Sequence, residues 1–253
     1  MRPELEGLAA ARERAGILLD FDGTLAEIVP KPEEATPVPG VPEVLVRLAG
    51  TYRTVAVVSG RRASDVARRI QEAVPCYGLY GLEDDSGPRP EASAFARLVE
   101  EVLPRVRRAV DEVPGARLEH KGFHLAAHYR GSPDPAAGSK LRSALAPLAA
   151  EAGMRVLEGK QVLELAPEGG PTKGDVVRRV AAEEGLGAIL YAGDDLGDLE
   201  AFAAVTALRE QAIDPALRVA VRSAETPAEV LAAADLEVPG PRGLLRLLEG
   251  LAT

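Results

Sequence analysis

The chain has 253 residues, 46% of them apolar and 4% aromatic, enough to fill one large domain or two modest ones with a real core. Its net charge of -9, with no Lys/Arg cluster interleaved with aromatics, argues against a nucleic-acid-binding surface. No apolar run approaches the roughly 18 residues of a membrane span, "MRPELEGLAAARERAG" lacks the apolar centre of a signal peptide, and the single cysteine, Cys76, rules out an internal disulfide, so a cytoplasmic protein without membrane contact is expected.

In chain order, "GILLDF" (Gly16 to Phe21) reads as a short buried strand that runs into "DFDGT", two acids one residue apart. Like charges this close raise each other's pKa unless a cation or strong donors compensate, so a positive charge is expected beside them. The helical pattern "VPEVLVRLAG" leads to a second strand, Thr54 to Gly60, which ends in Ser59-Gly60-Arg61 and is followed by the amphipathic helix "ASDVARRIQEA". "YGLYGL", Tyr77 to Leu82, reads as a third short strand. Beyond residue 170 come the helix "KGDVVRRVAAEEG" opened by Lys173, the strand "AILYAGD", the helix "LGDLEAFAAV", the strand "RVAV" and a last helix "RGLLRLLEGLA". This alternation predicts an α/β fold with a parallel sheet flanked by helices.

The rhythm breaks between two Pro/Gly-rich segments, Asp84 to Pro90 and Ala166 to Thr172, which read as paired hinges. Between them the pattern gives a helix from about Ala92 to Val113, paired strands "ARLEHKG" and "FHLAAHYR", a helix around Gly138 to Ala152, and strands "MRVLEG" and "QVLELAP". The predicted organisation is therefore a core over residues 1–87 and 168–253 with an inserted α+β cap over residues 88–167.

Ligands of open α/β sheets bind at the carboxyl ends of the strands. Taken singly, Asp22-Gly23 reads as a turn, Ser59-Gly60 as a helix cap and Lys173 as a solvated side chain. Together, with Asp194 and Asp195, they stand at strand ends or a helix start in chain order and predict one site. Carboxylates from Asp20, Asp194 and Asp198 suit Mg²⁺, a hard ion that takes oxygen ligands. An ionised Asp20 could then attack phosphorus, Asp22 could serve as acid and base, and Ser59 and Lys173 could hold the transferred group. His120, His124 and His128 are spaced by four and would stack on a helix as a zinc site; Gly122 and the strand pattern argue against that helix, and on a strand all three are expected on one face.

These residues resemble the haloacid dehalogenase superfamily of phosphatases, whose motifs are Asp-x-Asp-x-Thr after the first strand, a Ser or Thr after the second, a Lys, and an acidic pair after the fourth. Within it, "LEHKGFHLAAHYR", "GKQVLELAP" and "TKGDVV" are similar to the trehalose-phosphate phosphatase family, which carries Glu-x-Lys, His-Tyr-Arg or His-Phe-Arg, and Gly-Lys-x-x-x-Glu in these places. The resemblance implies a Rossmann-like core with a cap, and Mg²⁺-dependent hydrolysis of trehalose 6-phosphate through an aspartyl-phosphate. It makes Asp20 the nucleophile, Asp22 the acid and base, and Asp20, the Asp22 backbone carbonyl and Asp194 the metal site, with Asp195 and Asp198 supporting the metal loop. Ser59, Gly60, Arg61 and Lys173 fall on the phosphate side, and Glu119, Lys121, Arg130 and Glu164 would meet the sugar hydroxyls as the cap closes.

The chain departs from the family pattern at Glu83-Asp84, read as the place of a His-Gly after the third strand, and at Gly197 and Leu199, which replace a Thr and a Glu in the metal loop. Those changes bear on the sugar more than on the metal, so sucrose, glucosylglycerate or mannosylglycerate phosphate is the alternative substrate. A non-catalytic sugar-phosphate sensor is the remote alternative, and the intact Asp20/Asp22 pair speaks against it. A monomer or weak homo-oligomer is expected.

Overall fold

A computed structural model describes residues 3–159 and 161–253; Lys160 of the Gly-Lys-x-x-x-Glu stretch lies outside the described residues. The elements are α1 (Pro3–Ala10), β1 (Ala15–Leu19), α2 (Val41–Ala49), β2 (Thr54–Val58), α3 (Ala63–Arg69), β3 (Cys76–Tyr77), β4 (Glu83–Asp84), β5 (Gly87–Pro88), α4 (Ala92–Asp111), β6 (Arg117–His120), β7 (Leu125–His128), α5 (Ala137–Glu151), β8 (Met154–Gly159), β9 (Val162–Pro167), α6 (Lys173–Glu183), β10 (Ala188–Gly193), α7 (Asp198–Glu210), β11 (Ala216–Arg222), α8 (Ala228–Ala233), β12 (Leu236–Pro239) and α9 (Gly240–Leu251). Among the described residues no helix is long and apolar enough to cross a membrane.

The chain divides into two compact units, Met1–Asp85 with Pro171–Thr253, and Ser86–Gly170. In the first, six parallel strands run in the order β12-β11-β10-β1-β2-β3. Every residue of β1 ("AGILL") and β10 ("AILYAG") is buried, which is why these strands are uninterrupted runs of apolar and small residues: both faces of the sheet are covered. Alternation assigns the faces. Ile17, Leu19, Val55, Val57, Leu190 and Val219 pack with Leu5 and Leu8 of α1, Leu45 and Leu48 of α2 and Leu244 and Leu248 of α9. Leu18, Val58, Ile189 and Tyr191 pack with Val176, Val177 and Val180 of α6 and Phe202 and Val205 of α7.

The second unit is a four-stranded antiparallel sheet, β6-β7-β9-β8. Val99, Val102, Val106 and Val110 make one stripe of α4, Leu141, Leu145 and Ala149 one stripe of α5, and both meet Leu125, Ala127, Leu163 and Leu165. The opposite face carries Glu119, Ala126, Glu164 and Leu157 in one cross-strand row, so its polar residues are set apart from the apolar layer.

Three elements correct the sequence reading. The third strand is only Cys76–Tyr77, and Leu79–Gly81 is a short 3-10 turn; the alternation of "YGLYGL" is turn chemistry, and the residues that directly follow the strand are Gly78 to Gly81 rather than Glu83-Asp84. The helix after β10 begins at Asp198, not Leu196. The histidines do not share a face, because the hairpin turn between β6 and β7 resets the alternation: His120 pairs with Leu125, whereas Arg117 pairs with His128.

Asp235, just before the edge strand β12, accepts hydrogen bonds from the Arg218 backbone and guanidinium and from Arg209. Burial alone would raise its carboxyl, but those donors outweigh burial and hold it at about 2. The folded chain thus keeps this group ionised where the unfolded chain, with an ordinary value of about 3.9, takes up a proton. Stability from the cluster is therefore present above that ordinary value and lost as pH falls toward 2. In thermal melts the advantage of the parent over Asp235→Asn is expected to shrink as pH falls from about 5 to about 2; a pH-independent advantage would contradict an ionic origin.

Candidate active site

Asp20 leaves the end of β1 with its N–H bonded to Ala192 O of β10 at 2.9 Å. The chain then turns sharply, Leu25 and Ala26 both donating to Phe21 O. Gly23 sits at φ +81, and a Cβ there would stand 2.0 Å from Asp194 Oδ2. Only glycine lets the loop after β1 lie against the acid after β10. Thr24 Oγ1 uses that approach to donate to Asp194 Oδ1 at 3.1 Å.

Lys173 opens α6 behind a capping box in which Thr172 and Asp175 satisfy each other's backbone N–H. The cap fixes the helix start and delivers a buried lysine into the acids: Nζ donates to Asp20 Oδ1 at 2.8 Å and to Asp198 Oδ1 at 2.7 Å, and stands 3.8 Å from the partly exposed Asp195. Asp198 Oδ1 also accepts from the buried Tyr191 hydroxyl at 2.8 Å, and its Oδ2 from the N–H groups of Asp194 and Asp195 at 2.8 and 3.0 Å. With four donors engaged, Asp198 organises the loop and holds the lysine in place.

Asp20, Asp194 and Asp198 are buried and offer oxygens within 4.8 Å of one another. Burial, with Asp198 and Asp195 beyond it, pushes the Asp20 carboxyl well above its ordinary value, and Lys173 only partly opposes this. Burial would lower the Lys173 amine, but Asp198 and Asp20 outweigh it and keep the amine well above its usual range. One ammonium among three buried carboxylates leaves a surplus of negative charge in a place where unpaired charge is costly. A hard divalent cation fits a buried set of carboxylate oxygens of this kind.

The second loop begins with Ser59, buried after β2, whose Oγ accepts from the Arg61 N–H at 3.1 Å and so keeps its own proton to donate. Gly60 follows. The Arg61 guanidinium meets the first loop: Nε and Nη2 grip both oxygens of Asp22 at 2.6 and 2.7 Å, Nη2 also donates to Pro32 O at 2.7 Å, and Nη1 reaches Asp65 at 3.2 Å. Bidentate pairing of this kind fixes the plane of a carboxylate as well as its charge.

In the other unit, Glu119 and His128 meet at 2.8 Å, and Lys121 Nζ donates to Glu164 at 2.5 Å. The His128 bond, then Lys121 nearby, hold the Glu119 carboxyl below its ordinary value. Arg130 lies half-buried in the turn after β7. His120 instead faces Glu100 of α4 at 3.0 Å, so the histidines form no common metal site.

The model of the trehalose-phosphatase family matches residues 18–235. The chain belongs to the trehalose-phosphatase family. This member is 34% identical over 203 residues to a trehalose-phosphate phosphatase of Mycobacterium ulcerans, covering 76% of this chain and 52% of that protein. It is 36% identical over 215 residues to an uncharacterized glycosyl hydrolase of Mycobacterium tuberculosis, covering 80% of this chain and 16% of that one. The chain thus spans about half or less of the length of these curated relatives. Among solved structures, the C-terminal domain of a trehalose-6-phosphate phosphatase of Candida albicans has a TM-score of 0.86 at 24% identity, covering 99% of this chain and 96% of that one, and shares the fold.

The sequence reading passed over Tyr191 as a strand residue. Its signal was present: a tyrosine in the middle of a buried apolar strand needs a partner for its hydroxyl.

Proposed function

We propose that this chain is a Mg²⁺-dependent phosphatase that releases phosphate from trehalose 6-phosphate, with Asp20 as nucleophile. The observation that carries the reading is the placement of Lys173 between Asp20 Oδ1 and Asp198 Oδ1 in a buried acidic cluster, in a chain whose family is trehalose-phosphatase. A cation held by Asp20, the Asp22 carbonyl and Asp194 would neutralise the surplus carboxylate charge and that of an arriving phosphate. Asp20 attacks phosphorus, the P–O bond to the sugar breaks, and the departing oxygen takes a proton from Asp22. Water deprotonated by Asp22 then cleaves the aspartyl-phosphate and restores Asp20. Exposure divides the two roles: the Asp22 side chain is 36% exposed and can meet a leaving group or water, whereas Asp20 is only 5% exposed. Arg61 holds Asp22 in its plane until an oxygen of the substrate competes for it. Ser59 and Lys173 supply a proton donor and a charge to the phosphoryl oxygens.

The sugar falls to Glu119, Lys121, Arg130 and Glu164 of the cap. Carboxylates and a lysine on one sheet face suit paired hydroxyls, and leaving such groups buried without partners costs on the order of 1 to 3 kcal/mol each. A disaccharide phosphate should therefore be strongly preferred to a one-ring substrate. Phosphate release across a panel of sugar phosphates is expected to rank trehalose 6-phosphate far above glucose 6-phosphate. Glu119→Ala and Glu164→Ala are expected to lose most of that ratio while keeping hydrolysis of p-nitrophenyl phosphate. A parent that prefers glucose 6-phosphate, or sucrose, glucosylglycerate or mannosylglycerate phosphate, would overturn the trehalose assignment and leave the chemistry at Asp20 standing.

A further inference from the structure

The turn after β3 has a backbone that its residue types do not favour. Leu79 and Tyr80 both lie in the left-handed region, at φ +51 and φ +59, a conformation that bulky L-residues rarely adopt and that persists only where surrounding contacts impose it. Those contacts come from the second loop of the site. The N–H of Leu79 donates to Arg61 O at 2.8 Å, that of Tyr80 to Ser59 O at 3.1 Å, and that of Ser59 to Tyr77 O at 2.9 Å.

Laced in this way, the half-buried Tyr80 ring reaches two loops at once. A Cβ on Gly60 would stand 2.9 Å from Tyr80 Oη, 3.0 Å from Cζ and 3.4 Å from Cε2. At the opposite edge, a Cβ on Gly197 would stand 3.8 Å from Tyr80 Cε1, and the same point is 4.0 Å from Lys173 Cε and 3.2 Å from Asp195 Oδ1. The space that a side chain at Gly60 would fill is thus taken by the ring, and its other edge meets the Asp195–Gly197 loop beside the stem of the lysine.

We propose that Tyr80 is a positioning residue for the phosphoryl-transfer site. Its ring is the spacer that sets the separation of the Ser59-Gly60 loop from the Asp195–Gly197 loop and thereby keeps Lys173 on Asp20. The role is assigned to the ring, whose Cζ and Cε2 face Gly60 and whose Cε1 faces Gly197. This rests on the phosphatase reading for the chemistry, but not on the identity of the sugar. Without the ring the two loops lose their common support, and a displacement of about 1 Å at a reacting group is enough for a loss of about 10²-fold.

The test is steady-state phosphate release from p-nitrophenyl phosphate and from trehalose 6-phosphate by the parent, Tyr80→Phe, Tyr80→Ala, Gly60→Ala and the Gly60→Ala/Tyr80→Ala double variant, each checked for fold by circular dichroism. Tyr80→Phe is expected to stay close to the parent, and Tyr80→Ala to lose kcat by about 10²-fold on both substrates with little change in KM. Gly60→Ala should lower kcat by displacing the ring, and the double variant should be little worse than the worse single one. An undiminished kcat in Tyr80→Ala, a loss in Tyr80→Phe as large as that in Tyr80→Ala, or additive losses in the double variant would each overturn the proposal. Should Tyr80→Ala fail to fold, Tyr80→Leu takes its place: a kcat loss there on both substrates with none in Tyr80→Phe supports the proposal, and an undiminished kcat overturns it. A parent that cleaves the aryl phosphate but not trehalose 6-phosphate refutes the substrate reading alone, and the Tyr80 comparison is then read on the aryl phosphate.

Discussion

Asp20→Asn is expected to lower phosphate release by at least about 10⁴-fold, because an amide cannot act as the attacking carboxylate and two of its acidic neighbours are already engaged. Asp198 is saturated by Lys173, Tyr191 and two backbone N–H groups, and Asp22 is held by Arg61. The exchange is close to isosteric and removes one negative charge from a buried cluster of three carboxylates, so the fold should be kept. The measurement is steady-state phosphate release with Mg²⁺ in excess, beside a thermal melt. Activity within about tenfold of the parent would sink the nucleophile assignment, since that is far less than removal of a covalent catalyst costs.

For Asp22→Asn the expected loss is about 10²- to 10⁴-fold on trehalose 6-phosphate, the usual reach of a general acid and base. The loss should depend on the leaving group. A sugar alkoxide needs a proton as the P–O bond breaks, whereas nitrophenolate leaves without one, so formation of the phosphoenzyme from p-nitrophenyl phosphate should suffer much less. Pre-steady-state release of nitrophenol separates that first step from the later attack of water. Equal losses for both substrates in the first step would contradict the acid role. The Arg61 contact sharpens the expectation, because asparagine cannot offer two oxygens to the guanidinium and would also loosen the second loop.

The first and fourth strands were legible because sheets covered on both faces demand unbroken apolar runs, and "GILL" and "AILYAG" supply them. The acids at their ends were legible for the related reason that a carboxylate directly after such a run has no apolar role. Residue types did not show direction. Arg61 follows Ser59-Gly60 in sequence, but its commitment to Asp22, 39 residues away, is fixed by how two loops meet. The third strand was overread because "YGLYGL" alternates as a strand does, while the left-handed turn at Leu79 and Tyr80 is imposed by hydrogen bonds to Ser59 and Arg61. The faces of the histidines turned on the number of residues in one hairpin, since a single added position reverses every side chain beyond it. Short elements escaped because they are too brief to show a period, as at α8, six residues, and at β12, four residues ending in Pro239.

The most direct test of the central claim is to trap the covalent intermediate. The parent is quenched with borohydride during turnover of trehalose 6-phosphate in Mg²⁺, which reduces an aspartyl-phosphate to homoserine, and the peptide containing Leu18 to Thr24 is analysed by mass spectrometry. The account predicts homoserine at position 20, dependent on the substrate and lost in Asp20→Asn. Turnover with no reduced residue at position 20, or with the reduced residue at Asp22 or Asp194, would contradict it.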